Sequence, residues 1–169
     1  FLGLRPTLKA IECGKKIALA NKESLVAAGK FIDQKNLRSI ASEHFGLWYL
    51  LQDKKIDSMM ITASGGSFRD YPLNDLKNVS IKEALSHPNW SMGNKITIDS
   101  ATMTNKMFEL MEAAWLFDIR KLDAIIETKS LIHAFINFKD GSTTAHIANA
   151  SMQLPIAYAI LGKVDEEIL

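Results

Sequence analysis

The feature that most constrains the fold is a short apolar run at residues 16–20, Lys-Ile-Ala-Leu-Ala, with polar residues on either side. Such a run is typical of a strand buried on both faces of a parallel sheet. Residues 4–13 are predicted to form a helix before it, with Pro6 in the first turn and Gly14 just past the end. A second helix is predicted from the segment at 21–24 to about Lys30. Helix, strand and helix in this order indicate the end of a doubly wound α/β domain. Lys22 then lies at the carboxyl end of the strand, where such sheets bind ligands.

The remainder of the chain shows a different pattern. Residues 132–138 alternate, with Ile132, Ala134, Ile136 and Phe138 on one face, and Asp140-Gly141 supplies a turn into a strand over 143–148. This pattern predicts an antiparallel hairpin. We also expect a helix over 43–52, a strand over 58–63 and a last helix from about Pro155. The fold class is therefore α/β: a remnant of a doubly wound, Rossmann-like domain over residues 1–40, then an α+β domain over residues 41–169.

Three further elements and a loop are predicted inside the second unit. Ser80-Ile-Lys-Glu83 matches a capping box, which opens a short helix. Residues 87–94 form a polar and aromatic loop, residues 95–98 a short strand, and residues 101–117 the longest helix.

Composition and charge exclude several classes of protein. Hydrophobic residues make up 47% and charged residues 23% of the chain, which excludes a disordered protein. The net charge of +1 favours neither nucleic acid nor an anionic membrane, and no apolar run has the length of a membrane span. The single cysteine, Cys13, favours a reducing compartment. Because the chain begins at Phe1 with neither Met nor a signal-peptide pattern, we expect it to be a piece of a longer chain.

The helix predicted over 101–117 has two distinct faces. Asn105, Glu109 and Glu112 share one side, with Lys106 beside Glu109, because residues three or four apart are neighbours on a helix. The other side carries apolar residues that we expect in the core: Met103, Met107, Leu110 and Ala114. The polar side has two interpretations, a solvated surface with one Lys–Glu pair or a cation site. The Ser-Ala-Thr entry to the helix favours the cation site.

Two loops are candidate binding segments. Ser64-Gly-Gly-Ser67 follows a predicted strand, and its glycines and hydroxyls suit either an anion site or a plain turn. Trp90 and Met92 lie in the loop after His87. Large apolar residues in a loop require a reason. They either fold back on the core or form a lid that covers a ligand.

The remaining candidates are histidines and their neighbours. In Ser42-Glu43-His44, Glu43 is either a metal ligand or an ordinary first-turn acid of a helix. His44 is then an orienting or capping residue. His133 is on the polar face of its strand, where a histidine is more often structural than catalytic, and His146 has no functional context.

Taken together, these segments resemble one family, the 1-deoxy-D-xylulose 5-phosphate reductoisomerases. The matching residues, in chain order, are Ala18-Leu-Ala-Asn-Lys-Glu-Ser-Leu-Val26, Ser42-Glu-His44, Ile61-Thr-Ala-Ser-Gly-Gly66 with Phe68-Arg69, His87-Pro-Asn-Trp-Ser-Met-Gly93, and Asp99-Ser-Ala-Thr-Met103 with Asn105, Lys106, Glu109, Glu112 and Ala113. The resemblance continues to Asp140-Gly-Ser142 and Pro155-Ile156.

The resemblance implies an activity and its requirements. Members convert 1-deoxy-D-xylulose 5-phosphate to 2-C-methyl-D-erythritol 4-phosphate in non-mevalonate isoprenoid biosynthesis, with NADPH and one Mg²⁺ or Mn²⁺. By resemblance, residues 1–40 are the C-terminal part of the NADPH-binding domain and residues 41–169 the central catalytic domain. The expected partners are a sugar phosphate and a second copy of the chain, with no nucleic acid or membrane. The expected compartment is a bacterial cytoplasm or a plastid.

The resemblance also assigns roles to individual residues. Glu43 and Glu109 are the implied metal ligands and, with Lys22, the catalytic residues. Ser64, Ser100, Asn105 and Lys106 are implied to hold the phosphate, with help from His87. Lys22 and Ser42 contact substrate oxygens near the metal, and Trp90 is the part of the lid that touches the substrate. The implied cofactor-binding residues are Asn21, Lys22, Glu23, Met92, Gly93 and Met152. Glu112 lies behind the ligands, and His133 is near the site without a chemical step.

Two departures from the family pattern limit these implications. Ala41 stands where the family has an aspartate that serves as a third carboxylate ligand, so we expect a weakened metal site. Nothing in the chain matches the family's Gly-rich nucleotide loop or its C-terminal helical domain, so we expect this chain to be inactive alone. Two alternatives stay open: a non-catalytic phosphosugar-binding or dimerisation module, and an acidic helical surface without any site.

Overall fold

The computed structural model describes residues 2–167, and their first part forms a small parallel sheet. Helix α1 (Leu4–Glu12) leads into strand β1 (Ile17–Leu19), helix α2 (Lys22–Ala28), a 3₁₀ turn (Gly29–Phe31) and strand β2 (Leu37–Ser39). β1 and β2 are parallel neighbours, with Ile17 opposite Leu37. The predicted helix, strand and helix are confirmed. Gly14 follows α1 with φ +63°, the left-handed conformation expected after a helix.

The second part contains a four-stranded mixed sheet. Its elements, in chain order, are α3 (Ser42–Tyr49), β3 (Ile56–Ala63), a 3₁₀ helix (Leu73–Asn78), α4 (Ile81–Ala84), α5 (Asn94–Ala101), α6 (Thr104–Phe117), β4 (Leu122–Ile126), β5 (Ile132–Phe138), β6 (Thr143–Ile147) and α7 (Gln153–Leu161). The strand order is β4-β3-β5-β6, with β3 parallel to β4 and the other pairs antiparallel. The predicted hairpin, the strand near 58–63 and the last helix are confirmed, as is the capping box at Ser80 and Glu83.

Each sheet has its own hydrophobic core. Alternation in β5 directs Ala134, Ile136 and Phe138 toward α3 and α6, where they pack with Leu47, Met59, Ile61 and Ala113. A second cluster, Leu19, Leu25, Ile32 and Leu37, is covered by apolar residues of α1. Burial of one such aliphatic side chain stabilises the fold by roughly 1.5–3 kcal/mol. The domain boundary near residue 40 stays a prediction. Among the described residues, no helix combines the length and the apolar character that crossing a bilayer requires.

The strand predicted over 95–98 is wrong, because these residues belong to α5. The alternation of Lys95-Ile-Thr-Ile98 and its three β-branched residues favour a strand by local propensity. In the structure, Thr97 Oγ donates to the Gly93 carbonyl oxygen at 2.9 Å, and Lys95 pairs with Asp99 one turn later. Packing of α5 against α6 therefore overrides the local preference.

The single helix predicted over 101–117 is also corrected. Met103 has φ +61°, and this left-handed residue separates α5 from α6. Met103 and Met107, both predicted to be in the core, are 37% and 51% exposed. Leu110 packs on the core as expected. The reason is that α6 turns its charged side inward: Lys106, Glu109 and Glu112 are buried.

Two strands had no assignment from the sequence. β2 has only three residues, too few for a pattern to develop. β4 is an edge strand whose residues Leu-Asp-Ala-Ile-Ile do not alternate, and its last two isoleucines are exposed. Its pairing with β3 places the 127–130 turn next to the end of β3.

Candidate active site

One cavity of about 320 Å³ gathers most of the candidate residues. Its walls come from the end of β1, the start of α3, the end of β3, the loop after α4, helices α5 and α6, and the turn before β5. Lining residues that the sequence pointed to are Lys22, Ser42, Glu43, Ser64, His87, Trp90, Met92, Ser100, Asn105, Lys106, Glu109, His133 and Met152. Ala41 and both glycines of the Ser64 turn also line it.

Lys22 joins the first part of the chain to α6. Its Nζ lies 2.5 Å from Glu109 Oε1 and donates to Asn105 Oδ1 at 2.7 Å. Asn105 Nδ2 donates to the same Glu109 oxygen at 2.6 Å. A buried ammonium at the first residue of α2 is unfavourable next to the positive end of the helix. The carboxylate and the amide offset that cost, so Lys22 is held inside the cavity while 8% exposed.

Lys106 and Glu43 form the second buried pair of the cavity. Lys106 Nζ donates to Glu43 Oε1 at 2.7 Å and also pairs with Glu109 Oε2. Ser42 Oγ donates to Glu43 Oε2 at 2.8 Å. Burial raises the pKa of Glu43, but the Lys106 ammonium outweighs it and holds that pKa well below its usual range. Burial lowers the pKa of Lys106, but the two carboxylates reverse this and raise it above its usual value. Both groups are therefore charged.

A second polar layer lies behind Glu109. His44 Nε2 is 2.9 Å from the Glu109 carbonyl oxygen, so that nitrogen carries a proton and donates it. His44 Nδ1 faces Glu112 Oε2 at 3.3 Å, and Ser39 Oγ donates to Glu112 Oε1 at the same distance. Burial raises the pKa of Glu112, and His44 opposes this. His44 thus has the orienting position that the sequence left as one alternative.

The Ser64 turn, residues 64–67, meets His87 in the wall of the same cavity. His87 Nδ1 accepts from the backbone N–H groups of Asn89 and Trp90 at 3.1 and 3.0 Å. The proton of the ring is therefore on Nε2, which lies 3.0 Å from Ser64 Oγ. Burial, and then the charge of Arg69, lowers the pKa of His87. His87 is consequently neutral with its Nε2 proton directed at Ser64.

Gly66 explains why the turn needs glycine. Its φ is +70°, and a Cβ at this position would lie 2.4 Å from the Ser100 carbonyl oxygen. The turn after β3 therefore packs directly on the backbone of α5 near its end. This contact holds Ser64 and Ser100 on the same cavity wall.

Arg69 is a structural residue of the site to which the sequence gave no role, although it lies in a matching motif. Its Nη1 donates to the Ser64 carbonyl oxygen at 2.9 Å, Asn89 Oδ1 at 3.1 Å and the Thr128 carbonyl oxygen at 3.2 Å. Asn89 also donates to Thr128. One guanidinium therefore fastens the Ser64 turn, the His87 loop and the 127–130 turn to one another.

The loop residues Trp90 and Met92 face the cavity, and both are half-buried. The sequence left two alternatives for these residues, contact with the core or a lid over a ligand, and their position in the cavity wall favours the lid.

Ser130, which the sequence analysis missed, also lines the cavity. It is 5% exposed, has φ +55°, and its Oγ has no hydrogen-bond partner among the described residues. Its only sequence signal was its position in the turn that leads into β5.

The other histidines have structural contacts. His133 Nε2 donates to the Ala148 carbonyl oxygen at 3.0 Å while the ring lines the cavity. His146 packs edge-on against Phe45, with ring centroids 5.4 Å apart, and burial lowers its pKa.

Three predicted cofactor residues, Asn21, Glu23 and Gly93, do not line this cavity. Asn21 donates to Glu23 at 2.8 Å, and Lys95 of α5 pairs with Glu23 at 2.7 Å. Gly93 is the residue before α5. They lie beside the cavity on the segments that lead into α2 and α5.

The donor chemistry of the carboxylates decides whether they fit a metal. Within residues 2–167, no three His, Cys, Asp or Glu side chains are grouped as metal ligands. Glu43 and Glu109 nevertheless face one cavity. The buried Glu109 Oε2 forms an ion pair with Lys106. Mg²⁺ commonly uses one or two carboxylates plus substrate oxygens and waters, so this pair fits it. Ala41 lies on the same wall and offers no ligand.

Two family models and several relatives place similar sequences in one family of enzymes. A model of the 1-deoxy-D-xylulose 5-phosphate reductoisomerase C-terminal domain matches residues 37–117, and a model of the same enzyme matches residues 1–29. The 1-deoxy-D-xylulose 5-phosphate reductoisomerases of Nautilia profundicola and Wolinella succinogenes are 63% and 57% identical over 99% of this chain. The chain spans about half the length of these relatives, 48% and 47%.

Solved structures give the same assignment. A reductoisomerase described in complex with NADPH, fosmidomycin and magnesium is 42% identical, with a TM-score of 0.88 over 94% of this chain and 44% of its own. The Zymomonas mobilis enzyme in complex with NADPH is 37% identical, with a TM-score of 0.86 over 99% of this chain and 47% of its own. These matches agree with the mixed α/β fold and with the order of the site motifs. The chain belongs to the 1-deoxy-D-xylulose 5-phosphate reductoisomerase family.

Proposed function

We propose that this chain is the metal- and substrate-binding half of an enzyme that converts 1-deoxy-D-xylulose 5-phosphate to 2-C-methyl-D-erythritol 4-phosphate. One observation carries the proposal. Two carboxylates, Glu43 and Glu109, and the hydroxyls Ser64 and Ser100 line one cavity, although up to 66 residues separate them (109 minus 43). A cation site and an anion site within one cavity suit a phosphorylated, oxygen-rich substrate.

The anion end binds the phosphate. Ser64, Ser100, Asn105 and Lys106 are the proposed ligands, with the Nε2 proton of His87 as a further donor. Its two backbone contacts fix that proton, so His87 donates without carrying a charge. Each charge-assisted hydrogen bond to a phosphate oxygen contributes roughly 1.5–3 kcal/mol.

The cation end orients the reacting part of the substrate. Glu43 and Glu109 would hold one Mg²⁺ or Mn²⁺, which supplies Lewis-acid polarisation of the substrate's carbonyl and hydroxyl oxygens when bound. Lys22 and Ser42 contact the same substrate oxygens from the protein side. Lys22 is fixed for this by Asn105, which holds its Nζ at 2.7 Å. His44 keeps the backbone of Glu109 in place.

The open side of the cavity receives the cofactor. Met152, Met92 and Gly93 are the proposed contacts at the nicotinamide end, with Asn21, Lys22 and Glu23 beside them. NADPH is bound in two of the similar structures. Trp90 and Met92 exclude water when their loop closes. Because the nucleotide loop of the family is not in this chain, we expect the chain alone to bind ligands without turnover.

The working enzyme is proposed to be a homodimer in the cytoplasm of a bacterium. Both edges of the four-stranded sheet, β4 and β6, carry exposed isoleucines, among them Ile126 and Ile147. Unpaired edges with apolar side chains suit pairing with a second copy. The relatives named above are bacterial.

Fosmidomycin titration with and without Mg²⁺, followed by calorimetry, tests the proposal. We expect binding that requires the metal and that is lost in Glu109→Gln. Glu12→Gln, at an exposed glutamate of α1 that pairs with Lys9 outside the cavity, is the matched control and should bind like the parent chain. Metal-independent binding would favour the alternative, a non-catalytic phosphosugar-binding module, and absence of binding in all conditions would leave only a polar surface.

A further inference from the structure

Lys106 is placed where it blocks both predicted metal ligands. Its Nζ donates to Glu43 Oε1 at 2.7 Å and pairs with Glu109 Oε2. The two other oxygens of these carboxylates have donors as well: Ser42 Oγ at 2.8 Å and Lys22 Nζ at 2.5 Å. Every carboxylate oxygen that could hold a cation is therefore in contact with a protein donor.

This arrangement opposes a divalent cation for two reasons. Two ammonium groups already balance the two carboxylates, and Ala41 adds no further negative charge. Lys106 is only 6% exposed, so solvent does not screen its repulsion of a second cation. A metal can reach Glu43 and Glu109 together only after the Lys106 ammonium has moved from between them.

The same cavity offers that ammonium another acceptor. Lys106 lines it together with Ser64, His87 and Ser100, the donors of the proposed phosphate site. None of these three groups carries a negative charge, so without an anion the carboxylates are the better partner for Lys106. A lysine has a flexible four-carbon stem and a compact charge, which allow it to change partners with little rearrangement.

We propose that Lys106 is a positioning residue that changes partner when phosphate binds, leaving the Glu43–Glu109 pair for the phosphate and so freeing both carboxylates for the metal. Phosphate and metal then bind cooperatively through one side chain. By reciprocity, the metal raises the phosphate affinity by the same factor. The inference rests on the proposed function, because it needs the metal and phosphate sites assigned there.

The test is Mn²⁺ binding to the full chain, measured by electron spin resonance with and without inorganic phosphate, against a protein-free blank. In the parent chain, phosphate should tighten Mn²⁺ binding about tenfold, within the usual range of coupling between sites. Lys106→Met should bind Mn²⁺ more tightly than the parent without phosphate, since the blocking charge is gone. Its Mn²⁺ affinity should no longer respond to phosphate.

The matched control is Lys121→Met, which removes an exposed lysine paired with Asp57 at 2.9 Å, away from the cavity. It should behave as the parent chain does. A second variant, Ser100→Ala, keeps Lys106 and weakens only the phosphate site. In this variant, phosphate should change the Mn²⁺ affinity much less than it does in the parent chain, and this result decides the matter if Lys106→Met does not fold.

Three outcomes would overturn the inference. Weaker or unchanged Mn²⁺ binding in Lys106→Met would show that Lys106 does not compete with the metal. Mn²⁺ binding in the parent chain without a phosphate response would reject the change of partner while leaving the metal site of the proposed function intact. No Mn²⁺ binding in any variant or condition would reject the metal site itself, and the inference with it.

Discussion

Replacement of Gly66 by alanine tests how the anion end of the cavity is built. Gly66 has φ +70°, and its new Cβ would lie 2.4 Å from the Ser100 carbonyl oxygen and 2.7 Å from the carbonyl carbon. Both are backbone atoms, which cannot rotate away. The expected result is a loss of stability together with displacement of Ser64 from Ser100.

The magnitude follows from two separate contributions. A left-handed conformation costs an alanine about 1–2 kcal/mol, and the lower entropy of the unfolded chain returns roughly 0.4–1 kcal/mol. Overpacking against a rigid neighbour adds about 1–3 kcal/mol. Gly14 separates the two contributions, because it has a similar φ of +63° and a Cβ added there would meet nothing within 4 Å among the described residues. Gly66→Ala should therefore be less stable than Gly14→Ala by about 1–3 kcal/mol.

Urea unfolding of both variants measures the difference, and fosmidomycin binding measures its effect on the site. A difference of this size corresponds to roughly 2–12 °C in Tm for a chain of this length. We expect Gly66→Ala to lose fosmidomycin affinity while Gly14→Ala keeps it. Equal stability and equal affinity in the two variants would refute the close approach between the Ser64 turn and α5.

Three further predictions concern the metal, the histidine and the arginine. Ala41→Asp should tighten Mn²⁺ binding by about 10–100-fold, since a charged ligand contributes roughly 1.5–3 kcal/mol. Electron spin resonance measures the affinity, and Ala41→Asn is the uncharged control. Equal Mn²⁺ affinities of Ala41→Asp and the parent chain would mean that position 41 does not face the metal. Burial and Arg69 lower the pKa of His87 from 6.5, so the folded state favours the neutral ring. The neutral ring therefore adds to the free energy of unfolding above pH 6.5, and this contribution is lost as the pH falls through the lowered pKa. His87→Gln should remove that part of the pH dependence of urea unfolding, and an unaltered profile would contradict the neutral ring. Arg69→Lys should weaken fosmidomycin binding by about 1–3 kcal/mol, because one ammonium cannot bind the three acceptors in three loops that the guanidinium binds. Asp70→Asn is the control, since it removes only the exposed partner of Arg69, and it should leave fosmidomycin binding unchanged.

Several features could be predicted from local sequence because their physical causes are local. Gly14 ends α1, and Ser80 with Glu83 opens α4, since each depends on contacts within one turn of the chain. The hairpin of β5 and β6 follows from alternation and from Asp140-Gly141. The candidate site motifs were also visible in the sequence, because each is a short run of residues, and the roles predicted for them came from the resemblance to the family.

Other features depended on contacts that no local pattern contains. Residues 95–98 have the composition of a strand, yet packing on α6 makes them helical. Met103 and Met107 were expected in the core, but α6 buries its charged side because Lys22, 87 residues from Glu109, neutralises that side. Arg69 fastens three loops through acceptors 5, 20 and 59 residues away, and two of these acceptors are backbone carbonyls that any residue could supply.

The sequence by itself determined which chemical groups this protein has and the order in which the chain presents them. Only the tertiary structure decided which group each charge pairs with. The sequence predicted a phosphate contact for Lys106, and the structure shows in addition that Lys106 pairs with both Glu43 and Glu109. The physical reason is that a buried ammonium takes the strongest available acceptor, and which acceptors are available depends on how distant segments pack.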